Sequence, residues 1–496
     1  MRYLNRATTK EGFVDLHNHT SFSYGRELGQ INFTPLQYLE ECREYADKYG
    51  KQVSFAITDH NNTNGNLQVL KAIKENPDKY KNVNFIPGCE YTVSTDSIGH
   101  VYDENGIEKP IVSSNKIHLL AYGMNMEDPT IMYLSSLMSN ERKYLAAPSS
   151  KSTDAEPIDN SGYIEPIKYG NVIFCTKKWL RDKNMEVEIK EFAKTCQLQE
   201  SFGETVDVVE KFLKQKFNFS KEEMNDWKKF VNDEKNLRKY VKADVQEVMD
   251  IVQSAGGYTV IAHPVYCGPS ETIQNLANSK DPRNEKFKDI AFRDVNHKNM
   301  TDAERKENLR KMGNYFDYIY KTLTVNARNP ITGKKLDGVV GHELLHCANQ
   351  KNPYIFDTIL KTGDKYGLYC TSGSDSHGDL HRYSIPSRMC HSQIQNAATG
   401  AGKKFNGSAF ATVKCKFVED FMEAQKNGTK LERCEGRKAN DQLSILQTFN
   451  NKERYYTAND FRDLVYRAHK VREENKLSRK IARRRNVIQY NNEMVC

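Results

Sequence analysis

No CxxC pair occurs among the eleven cysteines of this chain. That absence, with the odd count, excludes a zinc ribbon and argues against a closed disulfide framework. The cysteines are expected to be small core residues or inert thiols. No apolar run of roughly eighteen residues is present, and the opening Met1-Arg2-Tyr3-Leu4-Asn5-Arg6 has no apolar stretch of the kind a secretory leader carries. The expectation is a soluble, cytoplasmic protein with no membrane contact.

What is present is enough for a large core. With 496 residues, 38% hydrophobic and 28% charged, two or three domains are expected, and a mean hydropathy of −0.75 points to polar excursions around them. The formal charge of +8 is unevenly spread. Residues 401–496 hold 21 Lys and Arg against 12 Asp and Glu, whereas residues 1–400 are close to neutral. The run Lys476-Leu477-Ser478-Arg479-Lys480-Ile481-Ala482-Arg483-Arg484-Arg485 is dense enough in cations to neutralise several phosphates, so RNA or DNA contact is an expectation there; a solubilising face is the plainer alternative.

The local pattern alternates between strand and helix. Phe13-Val14 leads into Asp15-Leu16-His17-Asn18-His19-Thr20. Thr34-Pro35-Leu36-Gln37 is a capping box with Pro at the first helical position, and apolar residues recur from Leu36 to Tyr49 before Gly50. Buried strands are expected at Val53–Thr58, ending in Asp59-His60; at Val83–Glu90; at Lys116–Tyr122, which carries His118; at Tyr258–Ala262, ending in His263-Pro264; at Leu336–Val340; and at Leu368–Ser372, running into Gly373-Ser374-Asp375-Ser376-His377. Helices are expected at Leu67–Glu75, after Ala243, from the capping box Thr301-Asp302-Ala303-Glu304 towards Leu323, and at Tyr354–Tyr366. Strands alternating with helices read as βαβ units and a parallel sheet, whose chemistry collects at the C-terminal strand ends. Between these halves, residues 141–169 read as a polar loop and 172–239 as a charged helical insertion.

The strand ends carry metal-ligand side chains. His17 and His19, two apart, leave one side of an extended strand. His60, Glu90, His118, His263, Asp375 and His377 join them, so six of the thirteen histidines lie at or beside expected strand ends. Eight N and O donors exceed the needs of one ion, so a cluster of at least two divalent metals (manganese, zinc or iron) is expected, with Glu90 as a candidate bridge.

The order His17-x-His19, Thr58-Asp59-His60, Pro87-Gly88-Cys89-Glu90, His118, Ala262-His263-Pro264 and Gly373-Ser374-Asp375-Ser376-His377 resembles the PHP (polymerase and histidinol phosphatase) superfamily over residues 13–126 and 242–380. It looks most like the stand-alone phosphoesterases with a helical insertion. The resemblance implies an α/β fold, a distorted (β/α)7 TIM-like barrel split into residues 1–140 and 242–395, with the insertion at 141–241 and a basic C-terminal extension at 396–496. It implies a metal-dependent phosphoesterase, phosphatase or exonuclease-like, in which metal-activated hydroxide attacks phosphate esters of nucleotides or short nucleic acids. His17, Glu90, Asp375 and His377 are the implied catalytic residues, within a ligand set of His17, His19, His60, Glu90, His118, His263, Asp375 and His377.

One departure stands out: Ser23-Tyr24-Gly25 puts tyrosine where the family has Asp or His, and a phenol is a poorer ligand near neutral pH. Two ions are therefore expected, and a third depends on Tyr24. Asp15 and Asp59 are candidate partners of the ligand histidines, or plain strand-end residues. Arg26 and Arg382 could clamp a phosphate, and Tyr24 and His346 complete the candidate substrate contacts.

Two rivals remain. His342-Glu343-Leu344-Leu345-His346 matches the HExxH pattern of zinc peptidases, which requires a helix, yet it directly follows an expected strand. Here His342 or His346 is expected to line the barrel mouth instead. The other rival is a nucleic-acid-binding PHP module with weak catalysis; the nearly complete ligand set argues against it.

Overall fold

The computed structural model describes residues 12–20, 22–23, 34–112, 117–132, 134–135, 206–232, 243–268, 271–293, 300–346, 352–375, 409–434, 436–449 and 452–467, with isolated positions at 176–192 and beyond 467. It is a mixed α/β structure in which a curled ten-stranded sheet forms a half-barrel. In chain order the strands are β1 (Val14–Asp15), β2 (Val53–Ile57), β3 (Val83–Thr92), the separate hairpin of β4 (His100–Tyr102) and β5 (Glu108–Pro110), β6 (His118–Tyr122), β7 (Tyr258–Ala262), β8 (Gly341–Leu345), β9 (Tyr369–Ser372), β10 (Ala409–Cys415), β11 (Leu443–Phe449) and β12 (Lys452–Tyr456). The helices used below are α1 (Pro35–Tyr49), α2 (Asn64–Glu75), α3 (Val206–Phe217), α4 (Lys221–Asn232), α5 (Val245–Ser254), α6 (Glu271–Leu276), α7 (Asp302–Leu323), α8 (Pro353–Lys365) and α9 (Lys416–Asn427). Among the described residues no helix is long and apolar enough to cross a membrane.

The sheet runs β12-β11-β10-β1-β2-β3-β6-β7-β8-β9. It curls far enough for β9 to return to the segment after β1: Leu16 N–H donates to Ser372 O at 3.0 Å and Asp375 N–H to His17 O at 2.8 Å. The wholly parallel sheet expected from the alternating pattern is corrected: β10, β11 and β12 pair antiparallel at one edge, and among the expected strands one is reversed. β6 pairs antiparallel with both β3 and β7. Parallel neighbours need a long crossover, usually a helix, whereas the described residues linking β3 to β6 hold only a short 3-10 turn (Asp96–Ile98) and the β4–β5 hairpin.

A second correction concerns β8. The strand is Gly341–Leu345 rather than Leu336–Val340, so the HExxH pentapeptide begins inside a strand instead of after one. Residues 409–456, set apart in the sequence as a basic extension, supply three strands to the same sheet, with Val14 opposite Thr412.

The helix signals read from sequence are realised in detail. Thr34 accepts from Gln37 N–H while Gln37 accepts from Thr34 N–H, and Gly50 closes α1 in the left-handed region (φ 60°). Thr301 and Glu304 do the same for α7. The apolar face of α1 (Tyr38, Leu39, Cys42, Tyr45, Ala46) packs with Phe13, Val53, Phe55 and Ile57 in one core. A larger core joins β3, β6, β7 and β8 to α5, α7 and α8. Within the insertion, α3 and α4 enclose a third core around Trp179, Leu213 and Trp227.

Candidate metal centre

Each candidate ligand is positioned by a strand end or by the turn that follows it. β2 stops at Ile57, and an isolated bridge then sets His60 opposite Glu90. Because β6 runs antiparallel, its first residue, His118, sits beside Thr92 and Ala262, at the same mouth as its neighbours' last residues. A strand start thus delivers a ligand where the parallel strands deliver theirs from their ends. His263 and Asp375 both lie in the left-handed backbone region, at φ 26° and 51°. Non-glycine residues are uncommon there, and such strain persists only where surrounding contacts hold it.

The buried carboxylate of Glu90 is the hub. Its Oε2 lies 2.7 Å from His60 Nδ1, 3.3 Å from His17 Nε2 and 3.4 Å from His19 Nε2. Its Oε1 lies 2.5 Å from His118 Nδ1 and 2.9 Å from His263 Nε2. Asp375 forms a second focus: Oδ1 is 3.0 Å from His19 Nε2 and 3.6 Å from His17 Nε2, and Oδ2 is 3.2 Å from His346 Nε2. The rings of His19 and His60 stack at 4.3 Å. Burial acts to raise the Glu90 carboxyl, but the imidazoles of His60, His118 and His17 hold it well below the usual carboxylate range. The same balance raises His17, against burial, through Glu343, Glu90 and Asp375.

The donor set fits divalent ions. His17, His19, Glu90 and Asp375 offer atoms within 4.8 Å of one another, as do His60, Glu90 and His118, and His17, Glu343 and His346. His17 Nε2 and Glu90 Oε2 are buried and close, yet neither makes a hydrogen bond. Buried polar atoms are nearly always paired. Two that approach without bonding are aimed at a shared point between them, as ligands of one cation are.

Two aspartates hold the scaffold through backbone. Asp15 Oδ1 accepts the N–H of His17 at 3.3 Å and of Ser374 at 3.0 Å, tying the first ligand segment to the Asp375 turn. Asp59 accepts both the N–H and the hydroxyl of Thr20, at 2.5 and 2.7 Å. Burial raises both carboxyls to about 7, against the hydrogen bonds that each accepts. Gly373 is obligatory by close approach: a Cβ there would sit 2.1 Å from His17 Cβ and 2.7 Å from Glu343 Oε1.

Glu343 was not among the ligand partners expected from sequence. Its carboxylate lies 3.1 and 3.2 Å from His17 Nδ1 and accepts the His263 N–H at 2.8 Å. Bonding at Nδ1 fixes the ring so that Nε2 turns to Glu90, the role that carboxylates commonly play behind metal-binding histidines. Strand periodicity could have found it, since alternate residues of β8 face opposite ways. His342 points away, hydrogen-bonded to Tyr320 and beside Cys370, and burial pushes it down to about 3, so it is neutral. A bulge between Glu343 and Leu345 then returns His346 to the mouth. The two histidines of HExxH thus do not share a face, and the peptidase geometry is not formed.

The described residues therefore bring together His17, His19, His60, Glu90, His118, His263, Asp375 and His346. His377, Tyr24, Arg26, Arg382 and the 476–485 basic run lie outside them.

No family model matches the chain, and no curated protein does. Solved structures similar to it include a candidate metal-dependent phosphoesterase from Bifidobacterium adolescentis, at 18% identity over 74% of this chain and 88% of that one, with a TM-score of 0.29. Another is an amidohydrolase from Chromobacterium violaceum with bound sulfate and no metal, at 14% identity over 76% of this chain and 93% of that one, with a TM-score of 0.31. At scores this low, the reading of the centre rests on its own geometry.

Proposed function

We propose that this protein is a metal-dependent phosphoesterase acting on nucleotides or short nucleic acids. The observation that carries the reading is the convergence of five imidazoles on the one buried carboxylate of Glu90, with Asp375 beside it. A peptide- or ester-cleaving triad has no use for so many imidazoles, whereas a cluster of divalent ions does.

In this reading His17, His19, His60, His118, His263, Glu90 and Asp375, together with His377, would hold the ions. Bound divalent ions supply Lewis acidity, which activates water near neutral pH and offsets charge on phosphate oxygens. The chain's own work is positional. Glu343 sets the His17 ring and the His263 backbone. The Asp375 side chain is 23% exposed while that of Glu90 is fully buried, so substrate approaches over Asp375. His346, whose Nε2 lies 3.2 Å from Asp375 Oδ2, is proposed as a substrate contact that would hold a proton for the leaving oxygen. Arg26, Arg382 and Tyr24 are proposed phosphate contacts, and the basic 476–485 run a proposed contact for an RNA or DNA chain.

The test is phosphate release from a nucleoside 3′,5′-bisphosphate, 5′-phosphorylated RNA and DNA oligonucleotides and p-nitrophenyl phosphate, with Mn²⁺ or Zn²⁺, comparing wild type with Asp375→Ala. Turnover of a nucleotide or oligonucleotide that is lost in the variant is the expected result. Bound metal without turnover of any substrate would replace this reading with the nucleic-acid-binding module.

A further inference from the structure

We infer that Tyr266 is a stacking platform for an aromatic ring carried by the substrate, a nucleobase in the first instance. This rests on the phosphate-ester reading of the centre beside it and adds a specificity element to it. Tyr266 belongs to the 3-10 turn Pro264–Cys267, which follows directly from His263. The turn is locked at both ends: Tyr266 N–H donates to His263 O and Gly268 N–H to Val265 O, each at 3.0 Å, and Pro264 fixes the first residue. The left-handed backbone of His263 that aims its ring at Glu90 also folds the chain back, so that Tyr266 lies over that ring.

The geometry is specific to the centre. The Tyr266 ring centroid is 4.9 Å from that of His263 at 70°, and 6.4 Å from that of His346 at 68°. His263 and His346 are buried, yet Tyr266 is 40% exposed. Among the described residues the other exposed aromatic of this kind, Tyr455, lies on β12 at the far edge of the sheet. Tyr266 thus presents part of an aromatic ring at the rim of a polar centre, where a planar ring carried by the substrate can lie against it. Each nucleobase has a π-face, and stacking on a fixed aromatic side chain recognises that face without reading base identity. His263 touches Glu90, and Tyr266 stands one ring further out, the offset a ribose bridges between phosphate and base.

Calorimetric titration of the full-length protein with Mn²⁺ tests this, using AMP and ribose 5-phosphate, which differ only in the base. Wild type is expected to bind AMP about tenfold more tightly, the scale of one base stack. Tyr266→Ala should bring the two within about twofold, and Tyr266→Phe should keep the preference, which also answers any concern over folding. A preference that survives in Tyr266→Ala, its absence in wild type, failure of either compound to bind, or an equal loss for both compounds would overturn the inference. Phosphate released in the same samples is assayed separately. A Tyr266-dependent preference without release removes the hydrolase reading and keeps the platform; release without preference does the reverse.

Discussion

The two halves of the sheet hold the centre by different means. In the first half, the segments at β1, β2 and β3 present His17, His19, His60 and Glu90, none of the four in the left-handed region although Asn61 after His60 is (φ 53°), and the carboxylates of Asp15 and Asp59 secure the connecting turns by accepting N–H groups. In the second half, β7, β8 and β9 present His263, His346 and Asp375, two of them from left-handed backbone, and Glu343 reaches across the barrel interior to a ligand ring. The first arrangement relies on local geometry that the chain adopts at little cost. The second stores strain, so it depends on its neighbours to keep its shape. The second half should therefore be the more easily disturbed.

Glu90 joins the halves, and its replacement is expected to have the largest effect. Glu90→Ala should remove most bound metal, measured by elemental analysis of dialysed protein, and abolish hydrolysis. Full metal retention would mean that the halves bind separately and that the comparison is wrong. Next come the supports. Glu343→Gln should weaken metal binding by roughly 10- to 100-fold, the usual effect of losing a carboxylate behind a ligand histidine. Asp59→Asn, whose carboxylate accepts from Thr20 rather than from a ligand side chain among the described residues, should alter affinity far less and show mainly as a lower melting temperature; equal losses of affinity would erase the distinction. Gly373→Ala should cost about 1–3 kcal/mol in urea unfolding and also lower metal occupancy, because the added methyl meets His17 and Glu343.

The last effect is one of pH and is absent near neutrality. His342 stays neutral in the folded chain down to about 3, whereas in the unfolded chain it takes up a proton near its ordinary value of 6.5. Below pH 6.5 the unfolded state therefore binds more protons, and stability falls as pH drops towards 3. His342→Gln should remove up to about 1.4 kcal/mol per pH unit of that slope. An unchanged slope between pH 6.5 and 5 would show that His342 is not the group responsible.

Helix limits around α1, α7 and α8 were readable because caps and apolar periodicity act within a few residues of one another. The residues quoted as ligands were readable as a type, since histidines and carboxylates gathered at strand ends imply a cation. Their distances were not, because Glu90 meets His263 only through the packing of whole strands. The direction of β6 was misread because apolar composition is the same for a parallel and an antiparallel strand; only the connection decides it. Glu343 was missed for a related reason. Its pentapeptide was weighed as a helical motif, and the alternation that turns Glu343 inward and His342 outward exists only once the segment is extended.

The pairing of β1 with β10 bears on how the protein is made. β1 is two residues long and is flanked by β2 on one side and by β10, with Thr412 opposite Val14, on the other. A strand that short has little stability alone. As the chain emerges from the ribosome, the segment bearing His17 must wait for some four hundred further residues before its second neighbour exists. The centre is thus braced only once β10 has been made, and a chain interrupted before β10 would carry all of the candidate ligands without the strand that braces the first of them.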